Sequence, residues 1–570
     1  MMGSEQGVSW DSSETWELDA VHFSRPVLPL MESTWFDLMD SGTERGFAEW
    51  SLPMRRYRMR VVNGWAYARV EPFGGEPPAL MKKVPALAHL WRINPAMRKR
   101  IFGFDRFVRE GGFERQVPRW NAEWRPEAER RLAPLRARNL STASNDVLVE
   151  HLEGLRDYLL WAHSLHIKLH VLCFYVRARF VEMCERLLGL SEFEAYELVQ
   201  RTDSFHFRGP ARLAAMGRRA AEDPGMSAAL ERPADQALRA LRGTWFEREL
   251  EAFLDEQGDR PSGFALDEPT WREVPEIVVG LVKGLMQAPY DADADEAEFQ
   301  SWRTARIAEL RARLDGDARA EFDDWLTLGE LGYPLNETHN YLLGELMFGL
   351  IRYAALETGS RLVAGGRIGC ADDAFFLRLE ELVAALRGQD DLHTRVTERR
   401  AEWERNALLK PPARLGPQPV EPPYGVFPKA AAGAARAILG QVAQMNVVPV
   451  RASTEETLVG LPGGPGVAEG PARIVRSLDD FGKVQAGDVI VCTFTNPAWT
   501  VLFPRAAALV ADSGGPLSHA AIVAREYGLP SVVGTGEATR RLIDGQPVRV
   551  DGNAGTVTIL APVEPEEVRP

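Results

Sequence analysis

Several features are scarce or missing in this 570-residue chain, and each absence narrows the reading. Cysteine is scarce: Cys173, Cys184, Cys370 and Cys492 are scattered with no CxxC spacing. That usage reads as reduced, mostly buried thiols in a cytoplasmic protein. No apolar run reaches about 18 residues, so no membrane span is expected. The opening MMGSEQGVSWDSSETWE is acidic, lacks a hydrophobic centre and does not read as a signal peptide. Basic charge is not in excess: the net charge is −14 and the pI near 5.4. A general nucleic-acid binder would carry a basic face, whereas local arginine clusters can still serve anionic substrates. Neither GxxxxGK[ST] nor GxGxxG occurs, so no familiar nucleotide loop is present, and no repeat of fixed period is evident.

What is there fills about three or four domains. Residues 1–14 read as a flexible tail, and 15–407 as a mainly helical domain with a hairpin region near its start. Within RYRMRVVNGWAYARVEPF, two β-rich runs flank Asn63-Gly64, a favoured turn pair. Pro26 and Pro29 make VHFSRPVLPL loop-like. Apolar residues then recur at three and four, predicting helices over about 143–187, 191–200, 272–288, 296–313, 336–359 and 372–387. Breaks are expected at Pro210, Pro224, Pro233, Pro261 and Pro334. The arginine–glutamate alternation in EAERRLAPLRAR and WRTARIAELRARL reads as a solvated helix face.

Two groups in the helical part can do chemistry. His163, His166 and His170 fall within roughly 60° of one another on one helix. They can pack, line a polar pocket that contacts substrate, or bind zinc. The metalloprotease pattern HExxH is absent, and no metal is expected. The second group is Asn336, Glu337, His339 and Arg352. Glu337 is expected in the first turn of a helix, where the dipole favours a carboxylate. His339 suits a proton acceptor, with Glu337 orienting it. Arg352 lies about 220° round the helix from His339. Asp372 and Asp373 read as helix caps rather than ligands.

Residues 408–450, proline-rich and then alanine-rich, read as a linker with a short helix at about 429–443. The last domain, 451–563, alternates apolar strands with glycine turns: ARIVRS, GDVIVCTF, AAALVAD, LPSVVGT, PVRVDG and GTVTIL. Inside it lies GGPLSHAAIVAREYGLPSVVG. Gly514 and Gly515 permit a tight backbone, Ser518 can cap a helix, and His519 stands at that helix's N-terminus, a place that suits an anion and so a phosphorylated imidazole. The same histidine could also simply cap an ordinary helix. Thr495 and Trp499 are loop residues at strand ends, where polar groups often meet ligands.

This stretch, with GVAEGPARIV, GDVIV and TNPAWTVLF before it and GLPSVVGTGEATRRLIDGQPVRVDGNAGTV following, resembles the swivelling phosphohistidine domain of the phosphoenolpyruvate-utilising enzymes. These include phosphoenolpyruvate synthase, pyruvate phosphate dikinase and rifampin phosphotransferase. The match runs from about Leu458 to Leu560 and departs at Pro516-Leu517. The resemblance implies that His519 is phosphorylated and that Arg525 helps neutralise the phosphoryl group; Ser518 beside it, and Gly514, Gly515 and Thr495 as a phosphate loop, are the further residues expected at the site. RPVLPL, the Asn63-Gly64 stretch and residues 335–386 are similar to the acceptor domains of rifampin phosphotransferase-like and phenylphosphate synthase-like proteins. The expected fold is therefore multidomain, a large mainly α-helical acceptor domain followed by a compact β/α swivelling phosphohistidine domain.

No ATP-grasp domain or phosphoenolpyruvate barrel is evident on either side. The layout therefore resembles the carrier subunit of phenylphosphate synthase and 4-methylphenylphosphate synthase. That implies a separate ATP-grasp subunit holding ATP and Mg²⁺, a phenol-like acceptor, and no nucleic-acid or membrane partner. Two alternatives stay open: a self-sufficient antibiotic or metabolite phosphotransferase, and a non-catalytic phosphocarrier.

Overall fold

Asn63 and Gly64 take left-handed backbone conformations, φ 49° and 82°, as tight hairpin turns require. They join strands Met54–Val62 and Trp65–Pro72, paired antiparallel with Val62 opposite Trp65. In this computed structural model the hairpin extends to a four-stranded sheet through Trp16–Leu18 and Arg414–Leu415. Trp16, Trp65, Tyr67 and Leu415 form its small core. Part of the stretch expected as linker is thus built into a sheet.

The structure describes residues 9–560 apart from 21, 77–78, 83–84, 203–204, 262–264, 288–290, 389–391, 419–422, 446–452, 496 and 517. Most of the expected tail, parts of the expected linker, the end of the expected last domain and Leu517 lie outside the described residues. The chain forms two compact units. One holds Met1–Val176, Phe264–Glu268 and Thr338–Ile438; the other holds Arg177–Gly263, Pro269–Glu337 and Leu439–Pro570. The helical stretch expected as one acceptor domain over 15–407 is therefore divided between them.

In the first unit, the stretch after Pro29 is helical where a loop was expected. Pro29–Met31 leads through a π-helical turn, Glu32–Phe36, into helix Asp37–Glu49. Pro29 sits in the first turn, where its missing N–H costs nothing. This helix crosses the long helix Asn145–Leu188 closely. A Cβ on Gly42 would lie 2.6 Å from His163 Cβ, and one on Gly46 would lie 2.2 Å from the Ser164 carbonyl oxygen. Only glycine permits that approach. By length and composition the helix Asn145–Leu188 could cross a membrane, contrary to the expectation that no such stretch exists. Within the protein, 67% of its most apolar 18-residue window is buried, as in a core helix.

Other expectations change with the prolines. Pro210 lies inside helix Phe205–Ala221 and Pro334 inside helix Gly316–Asn340. Each removes one backbone donor but leaves the turns on either side intact. Asn336 and Glu337 consequently sit near the C-terminal end of a helix, not in the first turn of one. The expected 372–387 helix is a 3₁₀ turn, Ala371–Phe376, followed by helix Leu379–Arg387. Asp373 does act as a cap: its Oδ2 accepts the N–H groups of Gly369 and Cys370 at 2.8 and 3.0 Å.

The second unit contains an eight-stranded sheet. Its parallel centre is Val467–Ile474, Val489–Cys492, Ala508–Ala511 and Ser531–Val533. Leu461–Gly464 flanks one side; Pro547–Asp551, Thr556–Ile559 and Thr457–Val459 flank the other, all antiparallel. The three short central strands are buried throughout, as parallel strands covered on both faces must be. Val489, Val491, Ala508 and Val510 enter one core cluster. Ile490, Cys492, Leu509 and Ala511 enter another, shared with helix His519–Glu526 and with Leu213, Phe246, Phe253, Val282 and Leu285 of the preceding helices. Cys173, Cys184 and Cys492 are buried free thiols and Cys370 an exposed one.

Candidate functional site

Ala508–Ala511 ends where the loop to His519 begins, so the site lies at the carboxyl ends of parallel strands, the usual ligand position in α/β sheets. Asp512 anchors the loop. It accepts from Thr535 Oγ1 at 2.8 Å, from the Ala538 N–H at 2.5 Å, and from Thr539. Gly514 turns the chain with φ 102°. A Cβ there would lie 2.6 Å from Ser518 Oγ. The Ser518 N–H donates to the Gly515 carbonyl at 2.9 Å. Ser518 holds the N-cap position, yet its hydroxyl makes no capping bond, and Oγ is buried without a hydrogen-bond partner among the described residues. That corrects the expected side-chain cap: the extended Ser518 backbone starts the helix through its carbonyl, which accepts from the Ile522 N–H. His519 is the first helical residue and half-buried. Its Nδ1 lies 2.9 Å from Oγ1 of Thr495, in the loop after the neighbouring parallel strand.

Residues 484–555 match the family model of the PEP-utilising enzyme mobile domain, and 167–334 match that of the rifampicin phosphotransferase fourth domain. The chain carries a mobile domain of the PEP-utilising enzymes. It is 30% identical to chondramide synthase of Chondromyces crocatus over 96% of this chain and 14% of that protein. It is 30% identical to rifampicin phosphotransferase of Streptomyces sviceus over 57% of this chain and 36% of that one. With phosphoenolpyruvate synthase of Aeropyrum pernix the identity is 47%, over 20% of this chain and 14% of that protein. The chain thus spans well under half the length of these relatives.

Within the mobile domain, Arg525 is buried. Its Nη1 donates to the Gly463 carbonyl at 2.6 Å, and its guanidinium lies 5.4 and 5.5 Å from the ring centres of Phe193 and Tyr196. Burial pulls its pKa below the usual arginine range, while Tyr333 and Tyr196 oppose that shift. Next to it, the Glu526 carbonyl accepts from Nε of Arg201 at 2.7 Å and also from Nη2. Asn336 Nδ2 donates to Glu337 Oε1 at 2.9 Å. Glu337 and His339 are two positions apart on one helix, hence about 200° apart round it.

In the other unit, three imidazoles meet. His166, His170 and His339 bring ligand atoms within 4.8 Å of one another. Ring centres are 4.8 Å apart for His166–His170, 5.3 Å for His166–His339 and 4.7 Å for His170–His339. His163, one turn earlier, packs instead edge-on to Trp35 at 4.5 Å. Burial pushes its pKa down to about 3 and drives that of His166 well below the ordinary value, with His170 and His339 adding to the effect. Arg352 donates to the Leu266 carbonyl at 3.1 Å and lies over Phe375.

Three π-helical turns surround the imidazoles. Glu32–Phe36 supplies Trp35, which packs against His163 and His166. Trp120–Trp124 begins with Trp120, which packs against His339 and donates to Thr338 Oγ1 at 2.9 Å. Tyr341–Glu345 follows His339 directly. Such turns often mark functional sites. Trp35 and Trp120 were not singled out from the sequence, because a π-turn leaves no periodic signal.

Proposed function

We propose that this chain is a phosphotransferase in which His519 takes a phosphoryl group from ATP, held by a separate ATP-grasp subunit, and passes it to the hydroxyl of a small phenolic acceptor. The contact between Thr495 and His519 carries this reading. When Nδ1 carries the proton and donates it to Thr495, the lone pair that can attack phosphorus is on Nε2. Mg²⁺ belongs with ATP on the partner. The three-histidine cluster offers nitrogen donors, whereas Mg²⁺ takes oxygen ligands. His163, His166, His170, Asn336 and Arg352 are the proposed acceptor contacts, and His339 the group that receives the hydroxyl proton. Arg525 and Ser518 support the phosphorylated loop, Arg525 through the backbone it holds. Trp35, Phe348 and Trp120 favour an aromatic acceptor, since they wall the imidazoles with ring faces and edges. The relatives named rifampicin phosphotransferase support phosphotransfer. The reduced thiols fit a cytoplasmic setting.

A second reading, a self-sufficient phosphotransferase acting on an antibiotic or other metabolite, is favoured by the match of 167–334 to the rifampicin phosphotransferase fourth domain. Incubating the pure chain with γ-labelled ATP separates the two. Stable label on His519 without any partner would sink the two-subunit reading. Label that appears only with an ATP-grasp protein, and that moves to a phenol, supports it.

A further inference from the structure

We propose that His166, His170 and His339 form a binding site for one zinc-class divalent ion, with a fourth position left open for an oxygen ligand. His166 and His170 stand at i and i+4 on Asn145–Leu188, a spacing that puts two imidazoles on one face one turn apart. The fold then brings His339, at the end of helix Gly316–Asn340, against both. Three imidazoles are a common donor set for zinc sites that keep an open position, and imidazole suits Zn²⁺ and Co²⁺ alike.

Two further observations point to a ligand. His166 is 9% exposed, and its Nδ1 has no hydrogen-bond partner among the described residues. A buried polar atom left so is costly, and a coordinate bond would relieve it. The surroundings are also built around the cluster. Trp35 and Trp120 hold His166 and His339 edge-on from two separate π-turns, and a third π-turn continues from His339. Zn–N distances of about 2.0–2.1 Å place tetrahedral nitrogens about 3.4 Å apart. The present spacing of up to 4.8 Å needs ring rotations, which the half-exposed His170 can supply.

A hydroxyl or water in the open position would shed its proton to solvent near neutral pH, as zinc-bound water does. This consequence rests on the phosphotransfer reading; the binding of the ion does not. In that case His339 acts as a ligand in place of a free base.

The test uses the full chain purified without chelator, dialysed against dipicolinate and then titrated with Zn²⁺ or Co²⁺. We expect about one equivalent bound per chain, with the visible bands of four-coordinate Co²⁺. His170→Gln, at the half-exposed position, should weaken binding by more than the roughly 10- to 100-fold that loss of a supporting group costs. Circular dichroism of the variant checks that it is folded. A chain that takes up no ion, or that binds it equally well as His170→Gln and as the double variant His166→Gln/His339→Gln, overturns the proposal. Phosphorylation of His519, measured on the same preparations, reports separately on the transfer reading.

Discussion

Thr495 Oγ1 stands 2.9 Å from Nδ1 of His519, joining the loops after two adjacent parallel strands. For Nε2 to attack phosphorus, Nδ1 must carry the proton and donate it to Thr495. Loss of one neutral hydrogen bond is worth about 1 kcal/mol, or roughly fivefold in rate. Thr495→Val should therefore slow phosphorylation of His519 about fivefold, and Thr495→Ser should restore most of the rate. Phosphorus NMR should place the phosphoryl group on Nε2. Unchanged loading in the valine variant would remove Thr495 from the site.

Gly514 is the loop's other sensitive point. Its φ of 102° disfavours any side chain, and a Cβ would meet Ser518 Oγ at 2.6 Å. Gly514→Ala should cost about 1–2 kcal/mol from the left-handed backbone, with a further penalty from the serine. Adding Ser518→Ala should recover only the Oγ part of that penalty, because the backbone cost and the contact with Ser518 Cβ, 2.8 Å away, both remain. Thermal melts of the single and double variants measure the two parts. Equal melting temperatures for Gly514→Ala and the native chain would show that the loop adapts freely.

Arg201 has φ 58°, unusual for a residue with a side chain. It uses that conformation to donate twice to the Glu526 carbonyl, at the C-terminal end of the His519 helix, and once to Asp295 at 2.8 Å. A cation there also meets the negative end of the helix dipole. Arg201→Ala should lose about 2–3 kcal/mol, the scale for a charge-assisted hydrogen bond whose partner is left buried. Arg201→Gly relieves the backbone strain and should lose less. If alanine and glycine destabilise equally, the backbone term is negligible; if neither destabilises, the Arg201–Glu526 contact is not a clamp.

Local chemistry made part of this legible in advance. Asn63-Gly64 announced its hairpin, and short apolar runs between glycines announced the strands beneath His519. His163, His166 and His170 were readable as one face, because helical spacing alone sets it. His339 was a separate candidate, 169 positions beyond His170 in the chain, and only packing brings it to them. The burial of Arg525 was hidden for the same reason. Its partners Phe193, Tyr196 and Gly463 come from distant segments. At Pro334 a local breaking rule was overridden, since the turns on both sides of it are held by tertiary contacts.

The buried histidines give the first unit a defined response to acid. Burial pushes the pKa of His163 down to about 3 and that of His151 to about 4, where Arg138 adds to the effect. In the unfolded chain both return to about 6.5. Between pH 6.5 and about 4 the unfolded state therefore binds more protons than the folded one, so stability falls as pH falls. It is fully present above pH 6.5 and is lost downward through this window, by up to about 1.4 kcal/mol per pH unit for each histidine. Urea unfolding followed at pH 7, 6 and 5 should show midpoints that decline with this slope. His163→Phe removes one of the titrating histidines and keeps an aromatic ring against Trp35, so its decline should be shallower by about one proton's worth. A profile equally steep in the variant would mean that His163 takes up no proton on unfolding, and hence that its ring is already charged or exposed in the folded protein.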